Sequence, residues 1–238
     1  MRRLAVLMLA LALAAAGCSG ARPAAEPAGR PVIVLLDLSG STETVAPKYR
    51  EYVQRVIDSL EGGEHLLVVP ISSASLTEAA AVDIRFPEYR RFTTNSFTHR
   101  RTMTKLRKEA LTLTDAVLSA PRTDRSQGTA ILDSLLQARD LAGGSPATIC
   151  IISDMVEDSD LARFESLTEA AIPALLSKAE AGGRLPRFPD STRVHVAGLG
   201  AAGQLEPSQV LTIRTFWEQY FSRAGATLVE YGPDFHSL

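Results

Sequence analysis

Five oxygen-bearing side chains fall where a parallel α/β chain gathers its ligands. Asp37, Ser39 and Ser41 sit in Asp37-Leu38-Ser39-Gly40-Ser41, directly after the apolar run Pro31–Leu36. Thr129 follows Gly128 in a short loop ahead of a helical pattern, and Asp154 closes a second apolar run, Ala147–Ser153. All five offer hard oxygen donors, which suit Mg²⁺, Mn²⁺ or Ca²⁺ and disfavour Zn²⁺ or Cu²⁺. Gly40 gives the turn the freedom to aim both serine hydroxyls at one point. Taken singly, each residue is also a common helix cap. Two strand-terminal aspartates with a hydroxyl loop between them exceed what capping requires, and in open parallel sheets ligands bind at the carboxyl ends of strands.

Other chemistry is poorly served. The four histidines (His65, His99, His195, His236) have no metal-ligand spacing, and no Gly-x-Ser-x-Gly elbow is present. Asp37 has no Asp two residues on, as an aspartyl-phosphate enzyme would need. Cys150, inside an apolar run, reads as a small buried hydrophobe, and His195 as a satisfied core residue. Gly198-Leu199-Gly200-Ala201-Ala202-Gly203 matches G-x-G-x-x-G, but it follows a late strand and the next helix starts only near Pro207. A dinucleotide loop belongs to the first βαβ unit and turns straight into a helix. No catalytic constellation emerges, so an enzyme is not expected.

The elements that would position the five residues are legible as patterns. Pro31–Leu36, Leu66–Ile71, Val82–Phe86, Ala147–Ser153, Arg193–Leu199 and Thr227–Tyr231 read as strands, several as continuous apolar runs buried on both faces. Val45–Leu60, Arg101–Leu118, Thr129–Leu141, Leu161–Ala181 (interrupted at Pro173) and Pro207–Ala224 read as helices. Phe216, Trp217, Tyr220 and Phe221 on the last helix read as core and rim packing. This alternation predicts an α/β fold: a doubly wound, mainly parallel sheet of about six strands with helices on both faces.

The motif Asp37-Leu38-Ser39-Gly40-Ser41, the Gly128-Thr129 pair and the strand-terminal Asp154, in that order and spacing, resemble the metal-ion-dependent adhesion site of the von Willebrand factor A domain. The resemblance covers Pro31 to Pro233. It implies that Ser39 and Ser41 bind the ion directly, that Thr129 and the aspartates bind it directly or through water, and that a partner's Asp or Glu completes the sphere. One departure stands out: Ser153-Asp154-Met155 replaces the usual Thr-Asp-Gly, which is expected to alter the loop after Asp154. Glu157, Asp158 and Asp160 follow and read as a solvated acidic turn. Pro87–Thr98 is expected to decorate the fold beside the metal site.

The N-terminus carries an address. Met1-Arg2-Arg3 precedes an apolar Leu4–Ala16, and Ala15-Ala16-Gly17-Cys18 resembles a bacterial lipobox. Residues 1–17 are expected to be a lipoprotein signal peptide, Cys18 the lipidated residue, 18–30 a flexible tether, and 31–238 the domain. Several acyl chains anchor stably. The chain has 25 Lys and Arg against 27 Asp and Glu, so no basic excess points to nucleic acid. A locally basic stretch, Arg90–Lys108, has Tyr89, Phe92 and Phe97 among it; it reads as a solvated face, with anionic lipid or cell-wall polymer as the alternative. The resulting expectation is a monomeric, membrane-anchored module of the bacterial envelope. It would bind an acidic protein group through a divalent cation, magnesium first and manganese or calcium next. The alternatives are a metal-assisted envelope hydrolase using the same ion, and a retained site that engages no partner.

Overall fold

The computed structural model describes residues 29–39, 45–72, 79–120, 128–199, 205–236 and 238. The expected signal peptide, Cys18 and nearly all of the tether lie outside the described residues, as does Ser41. Six strands form one sheet: β1 (Arg30–Asp37), β2 (Glu64–Ile71), β3 (Val82–Arg85), β4 (Thr148–Ile152), β5 (Arg193–Ala197) and β6 (Thr227–Gly232). Their order is β3-β2-β1-β4-β5-β6, with β3 antiparallel to β2 and every other pairing parallel. The helices are α1 (Ala46–Ser59), α2 (Ser96–Ser119), α3 (Ile131–Leu141), α4 (Ile172–Ala181) and α5 (Pro207–Ala224). This is the doubly wound α/β fold that the alternation predicts.

Strand periodicity divides β1 between two cores. Val32, Val34 and Leu36 join Tyr49, Tyr52, Val53, Val56 and Ile57 of α1 and Met103 and Ala110 of α2 on one face. Ile33 and Leu35 point the other way, into a cluster with Ile131, Leu132 and Leu135 of α3, Leu176 of α4 and Trp217 of α5. A strand covered on both sides has no polar face, hence the unbroken Val-Ile-Val-Leu-Leu. All six strands, and every buried member of both clusters, lie between Arg30 and Phe235.

Several boundaries differ from the sequence reading, each for a local reason. α2 starts at Ser96, because the Asn95 side chain accepts from the amides of Phe97 (2.9 Å) and Thr98 (3.1 Å) and caps the helix there. Thr129 is not helical; it pairs with Asp158 in an isolated bridge, and α3 begins two residues later. Leu161–Ala171 forms no α-helix but carries two 3₁₀ turns, Phe164–Ser166 and Glu169–Ala171. Pro173 opens α4 rather than interrupting it, since an early helical position tolerates the missing N–H. Pro87–Thr98 is not beside the strand ends that carry Asp37 and Asp154. A Cβ on Gly62, in the turn before β2, would stand 2.6 Å from the Pro87 carbonyl, which places the segment at the opposite pole of the sheet.

The aromatic run of α5 is wholly interior. Phe216, Trp217, Tyr220 and Phe221 are each fully buried, and Trp217 meets Phe216 edge-on with centroids 5.1 Å apart. His195 is buried as expected but not satisfied: neither ring nitrogen has a hydrogen-bond partner, Glu230 stands 3.7 Å away, and burial lowers its pKa. Trp217→Ala is expected to destabilise the domain by about 3–5 kcal/mol through the cavity left behind. Urea denaturation followed by circular dichroism would measure it.

Candidate metal centre

β1 and β4 are adjacent, and the chain order reverses between them. At such a switch point, ligands bind in the crevice outside the strands' carboxyl ends. Asp37 terminates β1 and Asp154 follows β4 by two residues, so the topology delivers both carboxylates to the crevice. Asp37 is fully buried. Its Oδ1 accepts from the Ser39 amide at 2.8 Å, and its Oδ2 accepts from the Ser153 hydroxyl at 2.6 Å. Ser153 in turn accepts from the Met155 amide at 2.9 Å. It is a positioning residue for Asp37 that the five-residue set omitted. The only signal for it in the sequence is the hydroxyl that the resemblance places before the strand-terminal Asp. Asp154 is half-buried, and its Oδ1 accepts from the Val156 amide at 3.0 Å.

Met155 occupies the left-handed region with φ 65°, a conformation usual for glycine and uncommon for a residue with a side chain. The loop therefore has a glycine-like backbone at a position that carries a side chain. Two contacts hold it: the Met155 side chain is fully buried in the core, and its carbonyl accepts from the Trp217 indole N–H at 3.0 Å. Packing offsets the backbone strain.

Thr129 is brought to the same loop by hydrogen bonds with Asp158: Thr129 N to Asp158 O at 2.9 Å, and Asp158 N to Thr129 O at 3.0 Å. Gly128, at φ 82°, makes this approach possible, since a Cβ there would stand 2.1 Å from the Asp158 carbonyl oxygen. Glu157 is not part of a solvated turn. It is fully buried, and its Oε2 accepts from the Ile131 (2.8 Å) and Leu132 (3.1 Å) amides, the first two of α3. The N-terminus of α3 is thus capped by a residue from another loop. Asp158 and Asp160 are exposed, as expected.

Electrostatics make the crevice unfavourable for two bare carboxylates. Burial, and then the neighbouring charge of Asp37, push the Asp154 carboxyl up to about 6. Burial pushes Glu157 up to about 7, against the opposing pull of the Ser159 hydroxyl and the α3 amides. Asp154 forms no ion pair with a Lys, Arg or His among the described residues. Tyr49 of α1 joins the site unannounced. It is buried, its hydroxyl has no hydrogen-bond partner, and burial followed by the charges of Asp37 and Asp154 raises its pKa. In the sequence it is one apolar position of a helix face. Gly198, after β5, packs against this region. A Cβ there would meet Tyr49 Cε1 at 3.0 Å and the Ser153 carbonyl at 3.1 Å. Close approach accounts for the first glycine of the G-x-G-x-x-G pattern; Gly200 and Gly203 lie outside the described residues. No three His, Cys, Asp or Glu side chains among the described residues form an ion-holding group, so a cation here would draw on hydroxyl oxygens and water besides the two carboxylates.

No family model and no curated protein matches the sequence. Among solved structures, the chain is similar to the human COPII-coat protein Sec24c (TM-score 0.40, 11% identity), covering 87% of this chain and 30% of that one. It is also similar to the pilus adhesin SpaC from Lactobacillus rhamnosus GG in its open conformation (TM-score 0.43, 14% identity), covering 87% of this chain and 28% of that one. The chain thus spans under a third of either protein.

Two outcomes are expected from this geometry. Gly128→Ala should cost about 2–4 kcal/mol of unfolding free energy, because the new Cβ collides with the Asp158 backbone in a loop that cannot retreat without breaking its bridge. Denaturant titration checks this. Raised carboxyl pKa values mean that the folded state binds more protons than the unfolded one, so their contribution is full at low pH and is lost as pH rises. In EDTA, stability should therefore fall between about pH 4 and 7. Asp154→Asn should flatten the lower part of that slope in thermal melts.

Proposed function

We propose that the domain binds a divalent cation, magnesium by preference, through Asp37, Ser39, Ser41, Thr129 and Asp154, and uses it to bind an acidic group of a protein partner. The observation that carries this reading is Asp154: a half-buried carboxylate beside Asp37, raised to about 6, with no cationic side chain paired to it among the described residues. A divalent cation would relieve that repulsion and favour both ionised forms. The chain supplies only oxygens here, which suits a hard ion.

Each residue has a separable task. Asp37, whose two oxygens are already bonded to Ser39 N and Ser153 Oγ, holds negative charge at the floor of the crevice. Ser39, Ser41 and Thr129 contribute neutral oxygens, so the ion stays short of charge compensation. A partner's Asp or Glu then supplies what is missing, and the surrounding loops set specificity. In this reading the chain is an adhesion-type von Willebrand factor A module, carried to the bacterial envelope by lipidation of Cys18 and spaced from the membrane by residues 18–30. The hydrolase reading is the weaker one: of the two bases it could draw on, Glu157 is engaged in capping α3, and Asp158 is tied by its backbone to Thr129 with its carboxylate paired to Arg163.

Calorimetric titration of MgCl₂ and MnCl₂ into the domain from Arg30 onward tests this. Wild type should bind, and Asp37→Ala should lose more than about 100-fold in affinity, at least what loss of an outer-shell partner costs. Added Mg²⁺ should raise the melting temperature at pH 7.5 and have little effect near pH 5, where Asp154 is protonated. Capture of a protein partner that survives EDTA would overturn the metal-dependent reading.

A further inference from the structure

The pole opposite the carboxylate crevice carries a second surface that the metal site does not use. From Arg85 to Lys108 the chain has eight Arg and Lys and a single carboxylate, Glu88, which pairs with Arg90. On α2, Phe97, Arg100, Arg101, Thr104, Lys105 and Lys108 share one shallow concavity. Met103, Ala110 and Thr114, turned to the other side of the helix, are buried against the fold. Arg91, Arg100, Arg101, Lys105 and Lys108 are exposed and take part in no ion pair among the described residues. Large apolar side chains stand beside these cations: Phe92 is 95% exposed, Phe97 69% and Tyr89 44%. Unpaired cations beside projecting phenylalanines match the two layers of a bilayer surface, anionic headgroups above an apolar interior. A soluble polyanion would use the cations and leave the phenylalanines without a role.

The chain's own path supports the same occupant. The Arg30 amide, at the start of β1, donates to the Gly63 carbonyl at 2.9 Å, and the Gly63 amide donates to the Phe86 carbonyl at 3.0 Å. A Cβ on Gly62 would lie 3.3 Å from His99 of α2. The entry of the chain into the sheet is therefore beside the start of the basic and aromatic face. Asp37 is at the far end of β1, about 23 Å along the strand. Eleven residues lie between Cys18 and Arg30, and the twelve steps between them span at most about 40 Å.

The geometry points to a membrane-docking face: Phe92 and Phe97 enter an anionic phospholipid bilayer while Arg91, Arg100, Arg101, Lys105 and Lys108 bind its headgroups, directing the crevice of Asp37 and Asp154 away from the membrane. This deepens the anchoring part of the proposed function, yet docking by the domain itself does not require a lipid on Cys18.

Co-sedimentation of the domain from Arg30 onward, which holds all six described strands and both cores and lacks Cys18, tests it. The probes are vesicles of phosphatidylcholine alone and of phosphatidylcholine with 30% phosphatidylglycerol. Binding should require phosphatidylglycerol, weaken several-fold in 0.5 M NaCl, and fall at least tenfold in R100E/R101E, since each headgroup-bound cation carries about a fivefold effect. Phe92→Ala with Phe97→Ala should also lose binding to vesicles while leaving binding to soluble polyphosphate unchanged. No sedimentation with anionic vesicles overturns the proposal. So does binding insensitive to the phenylalanine changes, which would mark a polyanion site instead. Circular dichroism confirms that the variants fold. Lipidation is read separately, from membrane release of the full chain by Cys18→Ser, so failure of one leaves the other standing.

Discussion

A carboxylate buried at the end of a central strand must be given partners, and the loops around β4 are arranged to provide them. Asp37 is fully buried and leans on the Ser153 hydroxyl, which in turn takes the Met155 amide. Met155 holds its turn because Trp217 bonds its carbonyl from the far side of the core. The line from β1 through the β4 loop to α5 is a chain of single hydrogen bonds, each buried. In a low-dielectric interior such bonds are strong when made and costly when broken. The position of Asp154 relative to Asp37 depends on that line.

The same loop also organises α3. Glu157 caps its first amides and Asp158 clasps Thr129, so the hydroxyl expected to serve an ion and the helix behind it are set by neighbouring residues of one segment. Two backbone details make the arrangement possible. Gly128 lets the two loops touch with nothing between them. Met155 reaches a glycine-like conformation by burying its side chain instead of omitting it. The first solution saves space and the second adds core volume, and both leave the carboxylates facing the crevice.

A parallel sheet has distinct ends, and here they differ in charge. Carboxylates collect where β1 and β4 finish, while Arg and Lys crowd the region beside their start, where the chain enters. Under the proposed reading one pole meets the membrane and the other meets the partner. The antiparallel β3 is what returns the chain to the lower pole before α2 begins, and so it is what supplies the basic face.

The unbroken apolar runs at Pro31–Leu36 and Ala147–Ser153, and the alternation of strand with helix, were enough to establish a doubly wound α/β fold, because strands covered on both faces leave no other pattern. Helical spacing placed α5 and the end of α4 to the residue, and both ends of α1 within one. The placement of Asp37 and Asp154 at the ends of neighbouring strands, and of Thr129 in the loop ahead of α3, was legible because strand ends and the glycine-hydroxyl pair announce themselves in order along the chain. Ser153, Tyr49 and the capping role of Glu157 were not. Their partners stand 116 residues away for Ser153 and 25 or 26 for Glu157, and nothing in the local sequence records such a contact. The polarity of the molecule was hidden for the same reason. Which end of the sheet Pro87–Thr98 occupies follows from β3 running antiparallel to β2; the pairing of these two consecutive strands was readable from the loop between them, but where their shared end lies relative to the ends of β1 and β4 was not. Sequence determines what each segment must bury; only the packed sheet decides which loops then share an end.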